Sequence, residues 1–210
     1  MNKAWLERWQ NNNIGWHETD GNQNLRRYWQ GTGKRVLVPL CGKSPDLLWL
    51  EAQGNEVVGV ELSDIAVRAF FDENELEYER SEGRLVLYRA KTRRLTLCCG
   101  DYFSFEETGF DAHYDRGALI ALPPDRRARY SAHTSERLTE DATQLVITVE
   151  YDERVCSGPP YSVAADEVQV YWPRLQRVAE LADINNAPPK FLAAGLSAML
   201  EVVWQTGVSI

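Results

Sequence analysis
The stretch Lys34 to Ser63, KRVLVPLCGKSPDLLWLEAQGNEVVGVELS, holds the residues best spaced for ligand chemistry. A first apolar run leads to a single glycine, Gly42, and a second ends on an acid, Glu61. Glu61 follows Gly42 by roughly 20 residues, the interval at which a ribose-binding acid follows the turn after the first strand. Open α/β sheets bind ligands outside the carboxyl ends of their strands. A carboxylate there accepts hydrogen bonds from both hydroxyls of a ribose. The segment therefore points to a ligand that carries adenosine.

Three such ligands compete: a nucleoside triphosphate, a dinucleotide and S-adenosylmethionine. Gly42-Lys43-Ser44 resembles the end of a phosphate loop, but that loop needs a further glycine five residues earlier, where Leu37 stands. Pro39, inside the same stretch, has no amide to offer a phosphate. The dinucleotide fingerprint needs three glycines so that pyrophosphate can approach the backbone. A one-glycine turn suits a ligand without phosphate, and S-adenosylmethionine fits best.

The elements that must hold these residues alternate between strand and helix. Strands are expected at Arg35 to Leu40, Glu56 to Glu61, Leu95 to Cys99, Phe110 to Tyr114 and Gln144 to Glu150. Between the first two lies a helix with Ser44 as N-cap, Pro45 at its first position and Gly54 at its end. Ser63 caps the next helix, whose apolar stripe is Ile65, Ala66, Ala69 and Phe70. The polar region from Tyr78 to Arg94 is expected to be a hairpin insertion turning at Glu82-Gly83. Pro123-Pro124 opens a helix to about Leu138, and a short helix follows near Asp166 to Tyr171. Two last strands, Leu175 to Leu181 and Met199 to Gln205, are expected as an antiparallel hairpin at the sheet edge with no helix between them. Near the amino terminus, Trp5, Leu6 and Trp9 share one face of a short helix. This order predicts a three-layer α/β sandwich with an antiparallel final strand.

Composition narrows the partners. The chain has 210 residues, enough for one domain, and 44% hydrophobic residues to build its core. A net charge of −8 disfavours a nucleic-acid partner. No apolar run approaches the length of a membrane span. MNKAWLERWQ is charged and lacks a signal-peptide core, so the cytoplasm is the expected compartment. Four cysteines, with Cys98 and Cys99 adjacent, do not form a secreted disulfide framework. Three histidines, His17, His113 and His133, have no metal-ligand spacing. A monomer without metal, acting on a small molecule, is expected.

Beyond these patterns the chain resembles the thiopurine S-methyltransferase family over nearly its whole length. The residues that carry the resemblance are Trp5-x-x-x-Trp9, Gly15-Trp16-His17, VLVPLCGKSPDLLWL, VVGVELS, YDRGALIALP and YDERVCSGPPYSV. The resemblance implies a seven-stranded, mostly parallel Rossmann-like sheet with S-adenosylmethionine as methyl donor. It implies aromatic or heterocyclic thiols as acceptors; bacterial relatives are also linked to methylation of selenium and tellurium species, a metalloid-detoxification role. Glu61 then matches the ribose acid, Leu40 a residue bordering the cofactor, and Gly100 and Asp101 the segment that meets adenine. Trp9 matches an aromatic over the sulfonium end. Trp16 matches an acceptor contact, and Lys190 a substrate-facing arginine of an animal relative. Residues 1–20 would fold over the cofactor as a lid.

Arg116 stands just past the fourth strand, where the acceptor must sit. It is expected to touch both cofactor and substrate and to stabilise an acceptor thiolate, since a nearby cation favours the anion. The bland alternative is a salt bridge to Asp115 or Glu150. Cys41 is expected as a small apolar filler, Trp5 as a staple for its helix, and no side chain stands out as a general base. Two other readings stay open: an NAD-dependent reductase, and a module that binds partners without catalysis.

Overall fold
The computed structural model describes residues 2–207. Its helices are α1 (Asn2–Gln10), α2 (Gln23–Tyr28), α3 (Asp46–Ala52), α4 (Asp64–Glu73), α5 (Ala118–Ala121), α6 (Pro124–Ser135), α7 (Ala165–Tyr171) and α8 (Pro189–Ala193). Its strands are β1 (Arg35–Pro39), β2 (Glu56–Glu61), β3 (Tyr78–Ser81), β4 (Val86–Ala90), β5 (Leu95–Cys99), β6 (Phe110–Arg116), β7 (Leu138–Tyr151), β8 (Leu175–Ala182) and β9 (Met199–Thr206).

One sheet runs in the order β3-β4-β5-β2-β1-β6-β7-β9-β8. The run β5-β2-β1-β6-β7 is parallel throughout, so five carboxyl ends share one edge. β9 lies antiparallel between β7 and β8. The sheet is nine-stranded because the insertion hairpin does not stand apart: β4 pairs antiparallel with β5 and carries β3 with it. The remaining seven strands form the expected mostly parallel, Rossmann-like sheet.

Period-2 alternation divides the core between the two faces. Val36 and Val38 of β1 join Leu47, Leu50, Phe70 and Phe71 on one side. Leu37 points the other way, to a cluster containing Leu119, Tyr130, Val168 and Trp172. Gly59 is required on β2, because an added Cβ would stand 2.7 Å from Cys41 Sγ and 2.6 Å from Leu97. Cys41 fills that gap, buried.

Several boundaries differ from expectation, each for a packing reason. The buried face of α4 is Ala66, Val67, Phe70 and Phe71, while Ile65 is exposed. The hairpin decides this, because Tyr78 and Tyr88 close on the Phe71 ring at centroid distances of 4.8 and 6.2 Å. α3 starts at Asp46 rather than Pro45, and Ser44 Oγ accepts from the Asp46 amide. β6 continues through Arg116 because it stays paired with β7 to Ile147. α6 stops at Ser135, since Leu138 already pairs with Phe110. Between β8 and β9 stands a helix, α8, anchored by the buried Phe191 against Tyr151. No helix among the described residues is long and apolar enough to cross a membrane.

His113 on β6 is fully buried, and burial lowers its pKa to about 4. Its Nδ1 lies 3.2 Å from Gln144 Oε1, an acceptor, while Nε2 has no partner, so the ring is neutral with the proton on Nδ1. Between pH 4 and 6.5 the unfolded chain binds this proton more readily, so stability falls as pH drops through that window. Asp115, raised to about 6 by burial, acts in the opposite sense but is common to wild type and variant. Between pH 7 and 5, wild type should lose about 2 kcal/mol more than His113→Phe. Parallel urea-unfolding curves at the two pH values would refute this.

Candidate active site
The turns after β1, β2 and β5 meet at the Glu61 carboxylate. One oxygen accepts from the Gly42 amide at 2.8 Å and the other from the Ser63 amide at 2.7 Å. The Glu61 carbonyl accepts from the Gly100 amide at 2.9 Å, which ties in the third turn. Glu61 is buried and, among the described residues, forms no ion pair. Burial raises its pKa, while the amides of Ser63, Gly42 and Leu62 favour the ionised form. Each carboxylate oxygen accepts up to two hydrogen bonds. Glu61 thus keeps acceptor capacity after bracing the turns.

The turn after β1 is sharply shaped. Leu40 adopts φ +47, a left-handed conformation uncommon outside glycine. Gly42 follows at φ +56, and a Cβ there would stand 3.4 Å from the Trp9 ring. Trp9, buried on α1, therefore covers this turn. Lys43 is paired with Glu73 of α4 at 2.5 Å. It serves the fold rather than a phosphate. Burial pushes the Cys41 thiol well above its usual range, with Glu61 adding to the effect, so Cys41 is unsuited to be a nucleophile.

Gly100 carries φ +153, and a Cβ on it would meet Leu85 of the hairpin at 3.1 Å. Asp101 accepts from the Phe103 amide at 3.0 Å and from Asn2 Nδ2 at 3.1 Å. The same turn thus anchors the start of α1. Trp5, Trp9 and Trp16 form an edge-to-face cluster, with centroids 5.1 Å (Trp5–Trp16) and 5.9 Å (Trp9–Trp16) apart. The Arg8 guanidinium lies over Trp5 and Trp16.

Arg116 is paired with neither Asp115 nor Glu150. Its Nη1 donates to the Trp16 carbonyl at 2.9 Å, and its Nη2 binds Glu18. Asp115 instead caps α5 through the Ala118 amide and accepts from the Tyr130 hydroxyl, both at 2.8–2.9 Å. Glu150 holds Arg177 through two contacts of 3.1 Å.

Trp9, Leu40, Glu61, Gly100 and Asp101 thus gather at the ends of β1, β2 and β5, while Trp16 and Arg116 are joined at the end of β6. Lys190 lies on α8, with Nζ 3.4 Å from the Ser157 carbonyl and over the Phe191 ring. Burial, with Arg8 nearby, lowers its pKa. A cavity of about 530 Å³ opens at the end of β7, lined by Tyr151, Arg177, Leu196 and Met199 among others. It contains none of the residues expected at the site.

Sequence reasoning missed the polar network behind Arg116. Asp46 is buried and accepts from the Asn22 amide and the Tyr114 hydroxyl, both at 2.8 Å. Asn22 Nδ2 donates to Glu18 and Glu201, at 3.4 and 3.3 Å. Asn22 carried one local signal, as the N-cap of α2. The others did not, because their partners are distant in the chain.

The family described as Thiopurine S-methyltransferase (TPMT) matches residues 1–207. A thiopurine S-methyltransferase of Pseudomonas putida is 43% identical over 210 residues, covering 96% of each chain. One from Pseudomonas aeruginosa is 41% identical and covers 95% of each. Among solved structures, a Burkholderia thailandensis 1,6-didemethyltoxoflavin-N1-methyltransferase, with bound 1,6-didemethyltoxoflavin and S-adenosylhomocysteine, shares the fold. Its TM-score is 0.65 at 17% identity, covering 98% of this chain and 86% of that one. A TehB-like S-adenosylmethionine-dependent methyltransferase of Corynebacterium glutamicum gives 0.55 at 17% identity, covering 98% of each.

Glu61→Gln is expected to destabilise the fold by about 1–3 kcal/mol, because its amide group must face one of two buried N–H donors. An unchanged urea midpoint would mean that Glu61 does not brace the turns.

Proposed function
The chain belongs to the thiopurine S-methyltransferase family, and from that premise we propose that it methylates the sulfur of aromatic or heterocyclic thiols. The observation that carries the cofactor reading is the buried, unpaired Glu61 carboxylate with acceptor capacity left over. That arrangement fits a ribose diol. The single left-handed glycine at Gly42 leaves no nest of amides for pyrophosphate. Trp9, Leu40, Glu61, Gly100, Asp101 and Arg116 would hold S-adenosylmethionine, which when bound supplies a methyl group activated by its sulfonium. Residues 1–20 would act as the lid. Trp9 and Trp16 bring apolar surface over the strand ends, and a dry site favours a reaction in which charge disappears.

Calorimetry tests the cofactor. S-adenosylhomocysteine should bind and NAD should not, and Trp9→Ala should weaken that binding while the sheet stays folded. Binding of NAD alone would overturn the assignment. A screen of aryl thiols, selenite and tellurite with labelled methyl donor then identifies the acceptor class.

Arg116 is the residue proposed to hold the thiolate, by charge and by proximity to the acceptor. The pH at which the rate rises should then follow the acidity of each thiol in a series. Arg116→Ala should move that rise to higher pH, and Arg116→Lys should recover part of the loss because charge returns without the planar fork. A rise at one fixed pH for every thiol would instead identify an enzyme base.

A further inference from the structure
The guanidinium at the end of β6 does not face the acceptor region as a free cation. Its Nη2 is bound to Glu18, from the same segment that carries Trp16. Glu18 is partly exposed, with 38% of its side chain accessible, and Arg116 retains 25%. One Glu18 oxygen is taken by Arg116, while the other has only the 3.4 Å contact from Asn22. Glu18 thus keeps free acceptor capacity on its second oxygen.

The wider charge balance is negative. Asp46 and Glu201 join Glu18 through Asn22. Asp183 and Glu18 both act on Glu201, and Asp46 and Asp183 both act on Glu18. Arg116 is the cation that offsets Glu18 and Glu201, and burial raises the pKa of both acids. Glu18 and Glu201 thus share one guanidinium, with Asp46 and Asp183 close to Glu18. A negatively charged acceptor meets an ion pair backed by excess negative charge.

We propose that Glu18 is a specificity-determining residue that sets the charge the acceptor site tolerates. On the thiol-methylation reading, on which this rests, a thiolate sulfur shares Arg116 with Glu18. A second anionic group placed beside that pair then meets the Glu18 carboxylate. The site selects aromatic thiols whose only negative charge is the sulfur, and discriminates against those that also carry a carboxylate. The energetic basis is Coulombic, because two like charges a few ångströms apart in a partly buried site repel far more than in water.

The test uses the full chain and four acceptors: thiophenol and its ortho-, meta- and para-carboxylated analogues. The readout is kcat/KM for each carboxylated thiol divided by that for thiophenol. In Glu18→Gln this ratio should rise about tenfold across the series. Glu18→Asp, which keeps the charge, should hold the wild-type ratio. Raising the salt concentration should relax the wild-type preference by a larger factor than that of Glu18→Gln. If Glu18 only anchors its segment through Arg116, Glu18→Gln will slow all four thiols by one common factor, and the proposal is wrong. Wild-type turnover of thiophenol separates the two levels of inference. Its absence along with that of every analogue refutes thiol methylation itself, and the selectivity with it. Its presence with an unmoved ratio refutes the role of Glu18 alone.

Discussion

The structure turns on a buried carboxylate held by backbone amides. Glu61 ends β2 and reaches across to the amide of Gly42 after β1, while its other oxygen holds the amide of Ser63. Its own carbonyl receives the amide of Gly100 after β5. Three loops that follow three parallel strands are thereby braced on one residue. An anion without a cationic partner is costly to bury, and hydrogen bonds from amides offset that cost. The same oxygens retain acceptor capacity beyond those bonds. Structural bracing and the proposed ligand recognition therefore fall on one side chain, for a single electrostatic reason.

The amino-terminal segment is fastened over this edge by contacts of different kinds. Asn2 reaches Asp101, Trp9 covers Gly42, and Arg116 takes both the Trp16 carbonyl and Glu18. Behind them, Asn22 and Asn24 fasten to Asp46 and Glu201. None of these residues before α2 belongs to the sheet. The segment is held by aromatic packing and charge-assisted hydrogen bonds rather than by a strand ladder. Such contacts open locally at lower cost than the core, which suits the covering role proposed for this segment.

The insertion hairpin shows how an addition can be absorbed by a fold. β4 pairs with β5 along the sheet edge, and Leu85 packs against Gly100. Tyr88 reaches Asp64 at the start of α4. The hairpin thus supports the rim of the site, and its Tyr78 and Tyr88 select which side of α4 is buried.

What could be read from the chain alone was local. Gly42 and Glu61 stand out because a strand, a turn, a helix and a second strand are contiguous, so their relation needs no long-range fold. β2 and β5 have the expected limits because each is a short apolar run bounded by polar turn residues. α8 was not legible: PKFLA buries one large side chain, Phe191, and five residues are too few to show a period. The burial of Phe71 over Ile65 was set by a hairpin that sequence periodicity cannot dock. The pairing of Arg116 with Glu18 spans 98 positions, and that of Asn22 with Glu201 spans 179. The sequence by itself determined the strand order of types, the acid at the end of β2 and the family. Only the tertiary structure decided which charges meet at the end of β6, because charge pairing depends on distance in space and leaves no periodic trace along the chain.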